Sequence, residues 1–502
     1  MKKILLLSTF LMNFLSGSGQ ESPKQHLKPA DLFALEKAAD VQISPDGNSA
    51  VYVRITPDAM TDRLSRHIWL INVNTKRQEQ LLPAESFQPR WSPDGKYLSF
   101  ISNNTLMVME IKNRKTHIVT KLEHGAGKMA WSPDGRMIAF SGFVPLSDAH
   151  KVPKFDHLIR PERANWAEPL RYIDSIYWEA DGAGYIEKGY NQIFKIAITG
   201  GKPKQLTDGR YNENDDFCWM PDGSAIVYSA NHMKDASINP VNSEIFKIDL
   251  ASGRVSQLTS RSGPDQSPAV SPDGKWIAYL GYDETFKSFT APGLYLMSAD
   301  GSNRKEILTG FDREPQHPVW SADGKNIYFS FDDNGNTCLA SVRPGLKPVI
   351  IYTGLGGDRE FSVSRDGRFC FEDDEPTRPP EVSVYQNNKK STLVRISDSL
   401  MRQRLTGSVR KLNLRSNYDG QAVSAWMVTP PGYEPGKRCP AILYIHGGPY
   451  GSYGKEFSAD FQLLAAAGYV VIYGNPRGST SYGQGYADQI AINFLRTIMM
   501  TS

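Results

Sequence analysis

The sequence predicts a mainly β protein: a seven-bladed β-propeller over residues 27–405, followed by an incomplete α/β-hydrolase domain over residues 409–502. Three observations predict it. A short turn motif recurs seven times, at spacings of 48, 40, 88, 51, 50 and 43 residues. Strand-like runs flank the copies, which is the pattern of propeller blades. Near the end, a strand–helix–strand segment breaks into glycines directly after its first strand.

A chain of 502 residues is too long for one ordinary domain. With 40% hydrophobic and 22% charged residues it has a globular composition. Its net charge of +3 comes with no basic block, which gives nucleic-acid binding no support. The 23 Tyr, 22 Phe and 9 Trp suit a β majority. Residues 1–19 read as a signal peptide: Lys2 and Lys3, an apolar run over 4–15, then Ser16-Gly17-Ser18-Gly19. The apolar run is shorter than the roughly 20 residues of a membrane span, so an exported protein, periplasmic or secreted and free of the membrane after cleavage, is expected. Four cysteines (Cys218, Cys338, Cys370 and Cys439) fit no zinc spacing and leave disulfides and buried thiols equally open.

The turn motif reads Ser44-Pro45-Asp46-Gly47, Ser92-Pro93-Asp94-Gly95 and Ser132-Pro133-Asp134-Gly135. Variants follow at Met220-Pro221-Asp222-Gly223, Ser271-Pro272-Asp273-Gly274, Ser321-Ala322-Asp323-Gly324 and Ser364-Arg365-Asp366-Gly367. Proline presets φ, aspartate bonds back to local N–H groups, and glycine takes the positive φ. Trp131 and Trp320 precede their copies, and strands at 137–140 and 327–329 follow. Second strand pairs are expected at 67–73 with 79–82, 192–196 with 204–207, and 244–248 with 256–259. Two hairpins per unit make a four-stranded blade, with closure mixing N- and C-terminal strands.

The 88-residue spacing holds either a degenerate eighth blade or an insertion; its basic, proline-bearing stretch from Val152 to Trp166 favours an insertion over 152–190. Thr377-Arg378-Pro379-Pro380-Glu381 and Asn387-Asn388-Lys389-Lys390 read as connectors in the last blade. Runs at 409–412 and 425–428 read as strands around Asn417-Tyr418-Asp419-Gly420. The unbroken apolar run 441–445 reads as a strand buried on both faces. Phe457, Phe461 and Leu464 mark an amphipathic helix that Gly468 stops, and 469–473 a second buried strand parallel to the first. After the first strand, His446-Gly447-Gly448-Pro449 turns sharply, with backbone N–H groups placed to stabilise an oxyanion.

Taken together, the seven turns, the segment Leu27-Lys28-Pro29-Ala30-Asp31-Leu32-Phe33, the run from Tyr172 to Tyr185 with Asp181-Gly182-Ala183-Gly184, His446-Gly447-Gly448-Pro449 and Asn475-Pro476-Arg477-Gly478-Ser479-Thr480-Ser481-Tyr482-Gly483 resemble the prolyl oligopeptidase family of serine peptidases. The nearest branch resembles dipeptidyl peptidase 5 and acylaminoacyl-peptidase. The resemblance implies a propeller capping an α/β hydrolase whose Ser-His-Asp triad cleaves short peptides through an acyl-enzyme, with no cofactor or metal. It places His446, Gly447 and Gly448 in the oxyanion loop. Arg477 reads as a guanidinium tying down the loop after its strand.

No Gly-x-Ser-x-Gly elbow occurs in the sequence, and Gly451-Ser452-Tyr453-Gly454 has Tyr450 where the first glycine would stand. The Ser, Asp and His of the triad are thus expected to be absent and the chain inactive as it stands. Residues 495–502 depart from the family text. One restored base before a permitted coding of that run gives Pro-Glu-Asp-Asp-Tyr-Asp-Asp-Ile, so a one-base frameshift is expected. The competing reading is a non-enzymatic envelope propeller that binds peptides or a partner protein. A metal-dependent hydrolase is disfavoured, because the nine His include no His-x-x-x-His pair and Asp332-Asp333-Asn334-Gly335-Asn336 reads as a hairpin loop. Oligomeric state, exo- or endopeptidase action and residue preference are not legible.

Overall fold

The computed structural model describes residues 23–146, 161–166, 173–182, 184–356 and 359–490. The expected signal peptide, much of the 152–190 insertion and the run 495–502 lie outside those residues. Seven four-stranded antiparallel sheets follow one another, at 37–80, 87–121, 129–205, 213–257, 265–306, 316–353 and 361–394. Within each, consecutive strands are hydrogen-bonded neighbours.

Each recurring turn joins the first and second strands of a sheet, and its chemistry is visible atom by atom. Ser44 Oγ donates to Asp46 Oδ1 at 2.6 Å, and the Asn48 N–H reaches the same oxygen at 3.1 Å. The following glycine takes a left-handed φ, +73° at Gly47 and +69° at Gly274. In the fourth copy Met220 replaces the serine, and Asp222 accepts from Ser224 instead, at 2.7 Å. Hydroxyl donors of this kind hold Asp46, Asp134, Asp222, Asp273, Asp323 and Asp366 below the usual carboxylate range. A carboxylate depressed on folding stabilises the fold above its unfolded value, about 3.9, and loses that contribution as pH falls through the folded value. The melting temperature is therefore expected to fall as pH drops below about 4. A melting temperature unchanged between pH 5 and 2.5 would show that these turns carry no stability.

Apolar clusters join neighbouring sheets. Val51, Val53 and Ile68 of the first pack on Leu98 and Phe100 of the second, and Leu339 of the sixth on Phe369 and Phe371 of the seventh. The seventh also shares a cluster with the first, Cys370 and Val382 meeting Ala38 and Tyr52. The tryptophans ahead of the turns reach back one sheet: Trp91, Trp131, Trp219 and Trp320 donate Nε1–H to the backbone carbonyls of Gln42, Arg90, Ala130 and Ala269 at 2.9–3.1 Å. The expected mixing of terminal strands is corrected. The first and last sheets are each built from their own consecutive strands, so they meet by packing. The N-terminal segment pairs instead with the stretch that follows the seventh sheet, Gln25–His26 running parallel to Arg404–Leu405. Beside that pair Arg404 grips Asp31 with two bonds of 2.7 and 2.8 Å. Arg404→Ala leaves the Asp31 carboxylate largely buried without its cation, and about 2 kcal/mol of stability should be lost in urea unfolding, between exposed and buried ion-pair values. A loss under about 0.5 kcal/mol would show that the clasp is inert.

One further expectation is corrected here. Arg378–Gln386 is a strand of the seventh sheet. Pro379 and Pro380 fit because they sit where the ladder is irregular, between the Asp373 and Glu375 pairings, so their missing N–H groups leave no gap. The 88-residue spacing leaves the third sheet at Pro145 and rejoins it at Gly189, opposite one another in the ladder.

The last sheet contains β1 (Ser408–Arg415), β2 (Ala422–Thr429), β3 (Ala441–Ile445) and β4 (Val470–Asn475), in the order β1-β2-β4-β3. β3 and β4 are parallel and joined through α1 (Ala459–Ala466). The helix begins two residues later than the apolar spacing suggests. Ser458 caps it, its Oγ accepting the Phe461 N–H at 3.2 Å, and Phe457 lies before the cap. β4 is buried as expected, but β3 is not: it is the sheet's edge, with Leu443 57% and Ile445 55% exposed. An apolar run reports what a strand is suited to, not what covers it.

Candidate active-site loop

The carboxyl ends of β3 and β4 lie side by side, the place where open α/β sheets hold ligands. His446-Gly447-Gly448-Pro449 leaves β3, and Pro476-Arg477-Gly478-Ser479 leaves β4. Gly448 has φ +131°, and a Cβ there would stand 2.8 Å from the Tyr450 nitrogen, so only glycine fits. A Cβ on Gly447 would meet nothing within 4 Å, which makes Gly447 the open side of the turn.

The His446 ring is fixed from three sides. Nδ1 lies 2.9 Å from the Gly447 carbonyl, Nε2 lies 2.9 Å from Ser479 Oγ, and Tyr453 meets the ring edge-on at 5.3 Å. A serine bonded to a histidine invites comparison with a catalytic pair, but the geometry argues against one. Ser479 is fully buried and its hydroxyl donates to the Pro476 carbonyl at 2.7 Å. Its role is to orient His446 and join the two loops.

Asn475, at the end of β4, does more than its place in the motif suggests. It is fully buried. Its Oδ1 accepts the Tyr453 N–H at 2.7 Å, and its Nδ2 donates to the Tyr453 carbonyl at 2.8 Å and the Tyr482 hydroxyl at 2.9 Å. One side chain thereby pins the segment that follows the glycine turn. Sequence reasoning used Asn475 and Ser479 only as part of a motif and gave neither a role; a polar residue closing an apolar strand was the available signal. Arg477 is buried, pairs with Asp419 in the β1–β2 turn and lies over the Tyr418 ring at 5.6 Å. That is the tying role expected of it.

The fifth and sixth sheets reach this loop. Phe289 stacks on Tyr450 at 5.2 Å, and its carbonyl accepts from Gln484 Nε2 at 3.1 Å. The hairpin turn Asn334-Gly335 docks against the last domain: the Asn334 N–H donates to the Ser481 carbonyl, the Gly335 N–H to Ser481 Oγ, and Lys411 Nζ to the Asn334 carbonyl, all at 2.9–3.0 Å. His446, Gly447 and Gly448 therefore sit together, at the strand end, on a side that the preceding sheets face.

Residues 151–280 match the family model of the dipeptidyl peptidase IV N-terminal region, and residues 455–494 that of the prolyl oligopeptidase family. Over 93% of its length the chain is 28% identical to an uncharacterized peptidase, YuxL, of Bacillus subtilis, covering 73% of that protein. It is 26% identical to dipeptidyl-peptidase 5 of Porphyromonas gingivalis, again over 93% of its length and 70% of that protein. Among solved structures, the uncomplexed Pyrococcus horikoshii acylaminoacyl peptidase superposes with a TM-score of 0.76 at 20% identity, over 93% of this chain and 70% of that one.

Proposed function

The chain is a relative of the prolyl oligopeptidase family, and from that premise we propose that it supplies the cap and the oxyanion side of an exported serine peptidase acting on short peptides. Residues 27–405 are the seven-bladed propeller, a reading supported by seven four-stranded sheets whose last packs on the first. Residues 409–490 are the opening part of the α/β-hydrolase domain. The observation that carries the reading is the placement of His446-Gly447-Gly448 at the end of a parallel strand, in contact with propeller loops through Tyr450 and Phe289.

The chemistry is acyl transfer. A serine hydroxyl, its proton taken by a histidine, attacks the peptide carbonyl; a backbone N–H of the 446–448 turn hydrogen-bonds the developing oxyanion, whose collapse breaks the C–N bond and releases the amine with that proton; losing one such donor typically raises the barrier by about 3–4 kcal/mol. Peptides of the dipeptidyl- or acylaminoacyl-peptidase type are the substrate class, a reading supported by the name of the relative dipeptidyl-peptidase 5. The nucleophile must come from an elbow that the 502 residues do not contain. The 502-residue protein should therefore neither hydrolyse dipeptidyl or acylaminoacyl reporter substrates nor take up a fluorophosphonate probe. Covalent labelling of any serine in it would overturn that part of the proposal. A propeller that binds peptides without cleaving them predicts instead saturable binding of short peptides with a turn 446–448 that can be replaced without effect. The apolar run at 4–15 supports export, which N-terminal sequencing of envelope-fraction protein would test.

A further inference from the structure

At the junction between the propeller and the last domain lies a cavity of about 250 Å3, walled by the sixth and seventh sheets on one side and residues 452–456 on the other. Its wall is crowded with carboxylates. Asp332 is held by Arg359 at 2.8 Å, and Asp373 by Lys390 and the Tyr352 hydroxyl. Asp374 differs from both. Among the described residues it has no ion-pair partner, and its Oδ1 instead accepts the N–H of Phe457 across the junction at 3.1 Å. That bond brings Glu456, the residue before Phe457, up to Asp374 from the other side. Glu375 and Lys455 also line the cavity, and Glu314 stands behind Asp332 and Arg359.

We propose that Asp374 is a pH-sensitive latch between the propeller and the last domain, tightening the junction when protonated and loosening it when ionised. The geometry gives the reason. Closing the junction half-buries Asp374 and sets it near Asp373 and Glu456, while one neutral backbone N–H is its cross-junction donor. Burial, outweighing the Phe457 hydrogen bond and reinforced by those two charges, pushes the Asp374 carboxyl up to about 7. In an opened junction it returns toward the ordinary aspartate value near 4. The closed form thus binds a proton that the open form releases. Its advantage is complete below about pH 4, is lost as pH rises from about 4 to 7, and is gone above.

The test is hydrogen exchange on the 502-residue protein from pH 5 to 8.5, corrected for intrinsic rate and read at the Phe457 amide, with Phe329 in the core of the sixth sheet as reference. The opening constant at Phe457 should rise by up to about tenfold per pH unit toward pH 7, the slope of one linked proton, and then level off. Phe329 should not follow. Asp374→Asn should flatten the profile, and Glu456→Gln should move its midpoint to lower pH. A flat profile at Phe457 in the unsubstituted protein overturns the proposal without recourse to any variant, as does a folded Asp374→Asn protein that keeps the slope.

Discussion

Gly335→Leu should loosen the sixth sheet from the last domain and cost about 3 kcal/mol or more. Gly335 has φ +75°, and a Cβ there would stand 2.5 Å from the Trp426 ring and 3.1 Å from the Tyr453 carbonyl. Trp426 cannot give way: it is almost fully buried, stacked on Tyr473 at 5.5 Å and covered by Lys411. Left-handed strain contributes about 1 kcal/mol and overpacking about 1–3 kcal/mol. The Gly335 N–H bond to Ser481 would be lost with the displacement. Gly345→Leu is the control, since Gly345 also has a left-handed φ, +91°, but no atom within 4 Å of a Cβ. It should show the strain alone. Urea unfolding followed by Trp emission separates the two, and equal losses would mean that the hairpin's docking contributes nothing.

Asn475→Leu should unpin the segment after the glycine turn. Leucine has similar bulk but cannot replace either bond to Tyr453, leaving a backbone N–H and carbonyl without their partner. At about 1–3 kcal/mol for each unsatisfied buried group, a loss of about 2–5 kcal/mol is expected. Exchange of the Tyr453 amide should accelerate in step with it. Asn475→Asp keeps the acceptor but places a charge where the Tyr453 carbonyl expects a donor, so it should not rescue. A melting temperature within 1 °C of the parent protein would contradict the assignment.

These two sites show where sequence reading succeeds and where it stops. The seven turns were legible because everything they need is within five residues: a hydroxyl, a carboxylate and a glycine. Asn334-Gly335 was legible as a hairpin for the same reason, but its docking was not, because Trp426 and Ser481 are 91 and 146 residues away. The glycine turn at 446–448 could be placed from its strand and spacing. Asn475, Ser479 and Phe289 act on it from separate elements, and only the folded arrangement brings them there. β3 misled because apolar composition fixes a strand's suitability for burial and leaves its neighbours unspecified. Pro379 and Pro380 misled because a proline is tolerated wherever the ladder already lacks a bond.

The most direct test of the peptidase reading is to determine the gene sequence through the Asn493 codon and for several hundred bases onward. The account predicts coding sequence that contains a Gly-x-Ser-x-Gly elbow with an aspartate and a histidine beyond it. A firm stop with no hydrolase-like sequence after it in any frame would contradict the account and leave a peptide-binding propeller as the better description.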